Sequence, residues 1–295
     1  MLAFRIFEIT FPILSIVGIG ILYGYFFRPD MALPNRINMD VFIPALLFSV
    51  LTDKAGEANL FGQLSLGITL IILLSGLISW PLAKVLDIDF KTLSPPVMFG
   101  NAGNLGLPLM VLAFGDEALP FAVVMFIVCN FFHVTIGSYL LDKHAHILKV
   151  FLSPMLLATF LALSLSYFDV GVHEIILQPV RMLGKICVPL MLFALGVRLI
   201  DTEFSEWRIG LLAGVMAPLS GVTIYFVLAP WLDLSKTQEG VLFLFAILPP
   251  AVMNYMFAEH FDQEPGRVAS MVLFGNALAI LTIPLALIYA LPRFT

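Results

Sequence analysis

The sequence predicts an all-α polytopic membrane protein: ten transmembrane helices in a 5+5 inverted-topology repeat, with helices 4 and 9 broken. Three observations carry that prediction. The 295-residue chain is 60% hydrophobic and only 12% charged, with a mean hydropathy of +1.02; a soluble domain averages about 45–50% apolar and about 25% charged residues. Its apolar residues gather into ten runs separated by short polar breaks. The two halves also match one another at an offset close to half the chain length.

A helix needs about 20 mainly apolar residues to cross a hydrocarbon core of roughly 30 Å. The runs lie near 9–27, 37–51, 62–86, 95–114, 118–141, 150–168, 175–199, 207–231, 240–258 and 266–290. They are far longer than the ~10-residue alternating segments of an outer-membrane barrel. Only Arg5 precedes the first run, and Tyr23-Gly24-Tyr25-Phe26-Phe27 offers no small-residue cleavage site, so a membrane helix is expected there rather than a signal peptide. The even spacing leaves no room for a soluble domain. A net charge of −5 speaks against a nucleic-acid partner. Cys129 and Cys187 both lie within apolar runs and make no disulfide framework.

An even number of spans puts both termini on one side. The opposite side carries Arg28, Arg36, Lys84, Lys91, Lys143, Lys149, Arg198, Arg208 and Arg267, nine in all, against six on the terminal side: Arg5, Lys54, Arg181, Lys185, Lys236 and Arg293. Positive residues favour the cytoplasm, so a multi-pass protein of the plasma (inner) membrane with both termini outside is expected.

The repeat divides the chain into 1–146 and 147–295. Shifting by 145 residues lays Arg36 on Arg181, Pro44 on Pro189, Leu47 on Leu192 and Phe48 on Phe193; shifting by 146 lays Asp116 on Asp262, Met125 on Met271 and Asn130 on Asn276. Five spans per half force the second half to insert upside down. Two halves of opposite orientation can exchange conformations around one central site, the mechanics of a secondary transporter.

Helix breakers crowd two of the spans. Span 4 contains Gly100-Asn101-Ala102-Gly103-Asn104-Leu105-Gly106-Leu107-Pro108, and Pro108 cannot donate to the carbonyl of Asn104. Span 9 contains Pro249-Pro250-Ala251-Val252-Met253-Asn254, whose prolines free the carbonyls of Phe245 and Ala246. Irregular backbone at membrane depth survives only when buried in protein or lining a water-filled cavity. Broken helices at matching places in two halves point to a transporter binding site, and half-helix N-termini there favour an anion. The expected substrate site is therefore Asn101, Asn104, Pro108, Asn130, Pro249, Pro250 and Asn254, holding a small organic anion. Taken singly, either span could instead use its glycines for close packing and its asparagines to bond neighbouring helices.

Within these segments the chain resembles the auxin efflux carrier family of transporters. The most specific stretches are Asn101–Pro108, Pro249–Asn254 followed by Phe257–Asp262, and Leu273–Pro284. The resemblance covers the whole length. It implies that broken helices 4 and 9 cross at their breaks, that a transport unit moves against a scaffold, and that the termini face outward. In the plant PIN-type carriers an Asn matches Asn101, whereas an amide after the proline of the second break is replaced here by Pro250. The fold is also similar to that of sodium-coupled bile-acid transporters.

Ionisable groups inside a membrane span are functional candidates. His133, three residues after Asn130, either takes up a proton during the cycle or is a neutral structural residue; Asn276 joins it as a candidate for ion or proton coupling. Asp40 and Lys185, each four residues before a proline, are expected to anchor opposite interfaces. No cofactor, metal or enzyme motif is present: His-Glu-x-x-His, Gly-x-Ser-x-Gly and nucleotide-binding glycine loops are all missing from the sequence. Coupling to H+ or Na+ stays open, as does a homodimer; membrane lipid is an expected partner. The alternatives to an organic-anion carrier are a sodium-coupled bile-acid-like symporter and a membrane receptor that binds without transporting.

Overall fold

The structure, a computed structural model, describes residues 2–53, 58–142, 151–168, 170–200 and 206–295. Among the described residues the regular elements are all helices, with no β-strand. Six segments are long and apolar enough to cross a membrane: Leu2–Phe27, Gly62–Leu86, Asp116–Leu141, Glu174–Arg198, Trp207–Trp231 and Pro265–Phe294. The remaining apolar runs are interrupted or shorter, as Ala102–Phe114 and Pro154–Tyr167 are. The polar breaks at 54–57, 143–150 and 201–205 lie outside the described residues.

Helices follow in the order α1 (Leu2–Phe27), α2 (Ala32–Ile37), α3 (Ile43–Asp53), α4 (Ala58–Leu86), α5 (Phe90–Met98), α6 (Leu107–Phe114), α7 (Leu119–Phe132), α8 (Ser138–Leu141), α9 (Pro154–Tyr167), α10 (Glu174–Arg198), α11 (Trp207–Leu228), α12 (Lys236–Ile247), α13 (Val252–His260) and α14 (Pro265–Phe294). Three turns of wider π spacing, Asn38–Phe42, Ala102–Gly106 and His133–Gly137, join α2 to α3, lead into α6, and join α7 to α8. Such bulges concentrate at functional sites.

Two compact units emerge. One comprises Ser15–Gly62 and His146–Ile200. There α1 and α10 meet backbone to backbone: a Cβ on Gly196 would lie 2.1 Å from the Val17 carbonyl oxygen, and one on Gly20 would lie 2.3 Å from that of Phe193. This is how small residues draw membrane helices together.

The other unit comprises Met1–Leu14, Gln63–Ala145 and Asp201–Thr295 and contains both helix breaks. Within it Ala83, Leu93, Val97, Ala213 and Met271 form a buried cluster. At one end, the loops before α5 and before α14 are fastened together. The Asp89 carboxylate caps α5 by accepting from the Lys91 amide. Gln263 Nε2 donates to Thr92 Oγ1 at 3.0 Å and to Asp89 at 3.3 Å, while Thr92 donates to Glu264 at 2.5 Å. Lys91 Nζ donates to the Leu141 carbonyl at the end of α8. At the start of α12, Ser235 and Gln238 form a reciprocal capping box. The Tyr225 hydroxyl at the end of α11 donates to Glu239 there, and Phe243, Tyr289 and Phe294 pack as neighbouring rings.

Candidate functional site

Helix α5 stops at Met98, and Phe99, Gly100 and Asn101 run extended or irregular before the π turn Ala102–Gly106. Helix α12 stops at Ile247. Leu248 is held extended (ψ 138°) by the ring of Pro249 behind it, and α13 begins at Val252. The two interruptions pair with one another through an antiparallel bridge between Gly100 and Pro250. The Asn101 amide donates to the Pro249 carbonyl at 2.7 Å and the Ala251 amide to the Phe99 carbonyl at 2.9 Å. Both bonds come from residues flanking the pair, so the missing N–H of Pro250 leaves no gap in the ladder. Close approach needs Gly100, where a Cβ would sit 3.0 Å from that of Leu248.

Asn276 on α14 fastens both interruptions at once. Its Oδ1 accepts from Asn101 Nδ2 at 2.9 Å, and its Nδ2 donates to the Pro250 carbonyl at 3.0 Å and to the Val272 carbonyl at 2.8 Å. The preceding residue, Gly275, gives Pro250 its seat: a Cβ there would meet the proline Cδ at 2.5 Å. On α7, Cys129 Sγ lies 3.8 Å from the Gly100 carbonyl. Among the described residues Asn130 bonds only back along its own helix, Nδ2 to the Phe126 carbonyl at 3.3 Å.

The expected site residues thus separate. Asn101, Asn254, Asn130, Asn276, Pro249 and Pro250 are buried in this unit, and the first, second and fourth bond directly to the paired interruptions. Asn104, inside the π turn, is half-buried and makes no side-chain hydrogen bond among the described residues. Asn101 is committed to Asn276, so the two asparagines of span 4 do different work. Pro108 stands in the first turn of α6, where its missing N–H is tolerated. Its effect is felt upstream, in the π spacing of the turn that holds Asn104, while the chain leaves the helix earlier, at 99–101.

His133 opens the π turn after α7 and is 2% exposed. Its ring stacks on Phe99 (centroids 4.3 Å apart, planes 7° apart) and meets Phe257 edge-on at 5.1 Å. Asn254 Nδ2 donates to the Phe99 carbonyl at 3.1 Å. Sequence reasoning passed over Phe99 and Phe257, which hold the histidine. The signal for them was present: an aromatic directly before the first glycine, and another one turn after Asn254. None of the polar side chains gathered here carries a fixed charge. Among the described residues no three His, Cys, Asp or Glu side chains cluster as a metal site would require.

Comparison with known proteins bears on what such a site serves. A family model described as membrane transport protein matches residues 143–287, a stretch that includes the second interruption and Asn276. Over 302 aligned positions, covering 94% of this chain and 97% of the other, the sequence is 22% identical to the uncharacterized transporter MJ1031 of Methanocaldococcus jannaschii. Both comparisons liken the chain to membrane transport proteins, the family model over its second half and the relative over most of its length. The likeness to the auxin efflux carriers drawn from Asn101–Pro108, Pro249–Asn254 and Leu273–Pro284 is borne out. Its work is transport across a membrane that its helices span several times.

Proposed function

We propose that this transporter is a secondary carrier of a small organic anion, holding its cargo beside the crossing of broken helices 4 and 9 and working by alternating access of two inverted five-helix repeats. The observation that carries the reading is the bridge between Gly100 and Pro250. It brings the N-terminal ends of two helical stretches, Ala102–Phe114 and Val252–His260, to one place. Each end favours a negative charge by about 0.3–1 kcal/mol, and Asn104 adds an uncommitted amide donor.

The repeat reading draws support from packing as well as from sequence. Ser75 and Ser220, 145 residues apart, touch through their hydroxyl oxygens at 3.4 Å. Each is followed by a glycine that receives the end of its own half's broken helix: Gly76 meets Met98, and Gly221 would place a Cβ 2.1 Å from the Ala246 carbonyl oxygen. Cys129 and Gly275, 146 apart, abut the two members of the bridge. The ten-span topology puts 87–89, the end of α8 and 261–264 on one face, and the bonds of Gln263 to Asp89 and of Lys91 to the Leu141 carbonyl fit that arrangement.

The test is the purified protein in liposomes adsorbed on a solid-supported membrane. Concentration jumps of dicarboxylates, aromatic carboxylates and bile acids are applied, with sodium and pH varied separately. The carrier reading expects a current or, for electroneutral exchange, radiolabel counterflow with one carboxylate class. Tight binding without either would replace it with the receptor reading. A current seen only with sodium and a bile acid would select the symporter.

A further inference from the structure

Helix α10 carries a polar line that neither packing nor lipid accounts for. At about 100° per residue, Glu174, Gln178, Arg181 and Lys185 fall within about 60° of one another round the helix. The ion pair between Arg181 and Glu174, seven residues apart, shows that those two share a face. A second face is packed: Leu177, Gly184, Cys187 and Met191 are buried, and a Cβ on Gly184 would lie 2.8 Å from Leu46 Cα. A third face, with Ile175, Met182 and Ile186, is exposed and apolar, as suits lipid. The polar line runs between these two faces and stops at Leu192, two turns beyond Lys185, which is buried.

Lys185 stands about 16 Å along α10 at 1.5 Å per residue, near the middle of the span rather than at an interface. It is exposed and makes no hydrogen bond or ion pair among the described residues. An ammonium group facing lipid at that depth is costly, so the line that carries it must meet water. Lys185 also follows Arg181 by one turn, and like charges four residues apart on a helix repel. In the sequence 145 residues earlier, Arg36 and Asp40 hold the same two positions and pair with each other at 3.6 Å. Charge is balanced there and is left over at Lys185. We propose that the Glu174–Lys185 face of α10 lines a water-filled path into the membrane and that Lys185, at its inner end, binds one small anion. The anion supplies the missing counter-charge and relieves the repulsion from Arg181. Chloride or the carboxylate of the cargo has that chemistry, and only the second source rests on the carrier reading.

The experiment labels single-cysteine additions to the full chain in liposomes with a sulfonate-bearing and a trimethylammonium-bearing methanethiosulfonate, the parent chain giving the background. Lys185→Cys should react with these water-borne reagents where its neighbour Ile186→Cys does not. At Gln178→Cys the ratio of the negative to the positive reagent's rate should fall severalfold when Lys185→Gln is added and return with Lys185→Arg. If the anion is the cargo, the carboxylate that drives the current slows the negative reagent at Gln178→Cys in a saturable way. If chloride alone slows it, at constant ionic strength, the site holds an inorganic anion. The proposal is overturned if Lys185→Cys is as inert as Ile186→Cys, or if the reagent ratio is unchanged in folded Lys185→Gln. Neither reading needs a current, so both survive failure of the carrier reading and the two failures are told apart.

Discussion

The two interruptions meet in one bridge but are made in opposite ways. The first, Phe99-Gly100-Asn101, uses a residue without a Cβ and one with a side-chain amide, and winds on through a π turn. The second, Leu248-Pro249-Pro250-Ala251, uses rings that cannot donate and passes straight into α13. Proline breaks a helix but leaves its own carbonyl to be satisfied from elsewhere. Asn276 does so for Pro250, using the same amide whose oxygen receives Asn101. The glycine-type break brings its own tie; the proline-type break borrows one. The difference teaches that a sequence can place two breaks symmetrically without building them from the same residues.

The largest effect should come from removing the shared tie. Asn276→Leu leaves Asn101 Nδ2 and the Pro250 carbonyl buried and unpaired, at roughly 1–3 kcal/mol each, and should lower the melting temperature in detergent markedly and abolish transport. Next comes the seat of the second break. Gly275→Ala drives a methyl group against Pro250 Cδ and should cost about 1–3 kcal/mol by overpacking, measured as the same shift. Smallest should be Asn130→Ala. Asn130 lies 146 residues before Asn276 in the sequence, yet among the described residues it bonds only its own helix, so thermal stability should change by less than about 1 kcal/mol. A loss equal to that of Asn276→Leu would mean that both breaks are tied from both halves and would erase the contrast.

Much of the fold was legible because membrane helices announce themselves by length and hydropathy, and because the breakers are local. The spans expected at 62–86, 118–141, 175–199 and 266–290 coincide with long apolar helices to within a few residues. What could not be read was register across the breaks. The sequence offset of 146 pairs Asn104 with Pro250, whereas the bridge pairs Gly100 with Pro250, 150 apart, because the π turn and Pro108 displace the helix start in the first half only. Commitment of side chains was equally hidden. Asn101 and Asn104 look interchangeable three residues apart, but one is spent on Asn276 and the other is not. Asn276, a candidate for ion or proton coupling, also ties the two interruptions together, which its sequence context does not announce. The pairing of His133 with Phe99 and Phe257 joins residues far apart in the chain, which no local pattern encodes.

That contrast gives the most direct test of where cargo sits. Asn104→Cys removes no hydrogen bond, and the two native cysteines are 2% and 0% exposed, so a charged maleimide should report on position 104 alone. With the variant in liposomes, the carboxylate that drives the current should slow labelling at that position in a saturable way, half-maximal near the concentration that half-saturates transport. Labelling that proceeds at one rate with and without that carboxylate, while the current persists, would place the cargo away from the paired breaks and contradict the account.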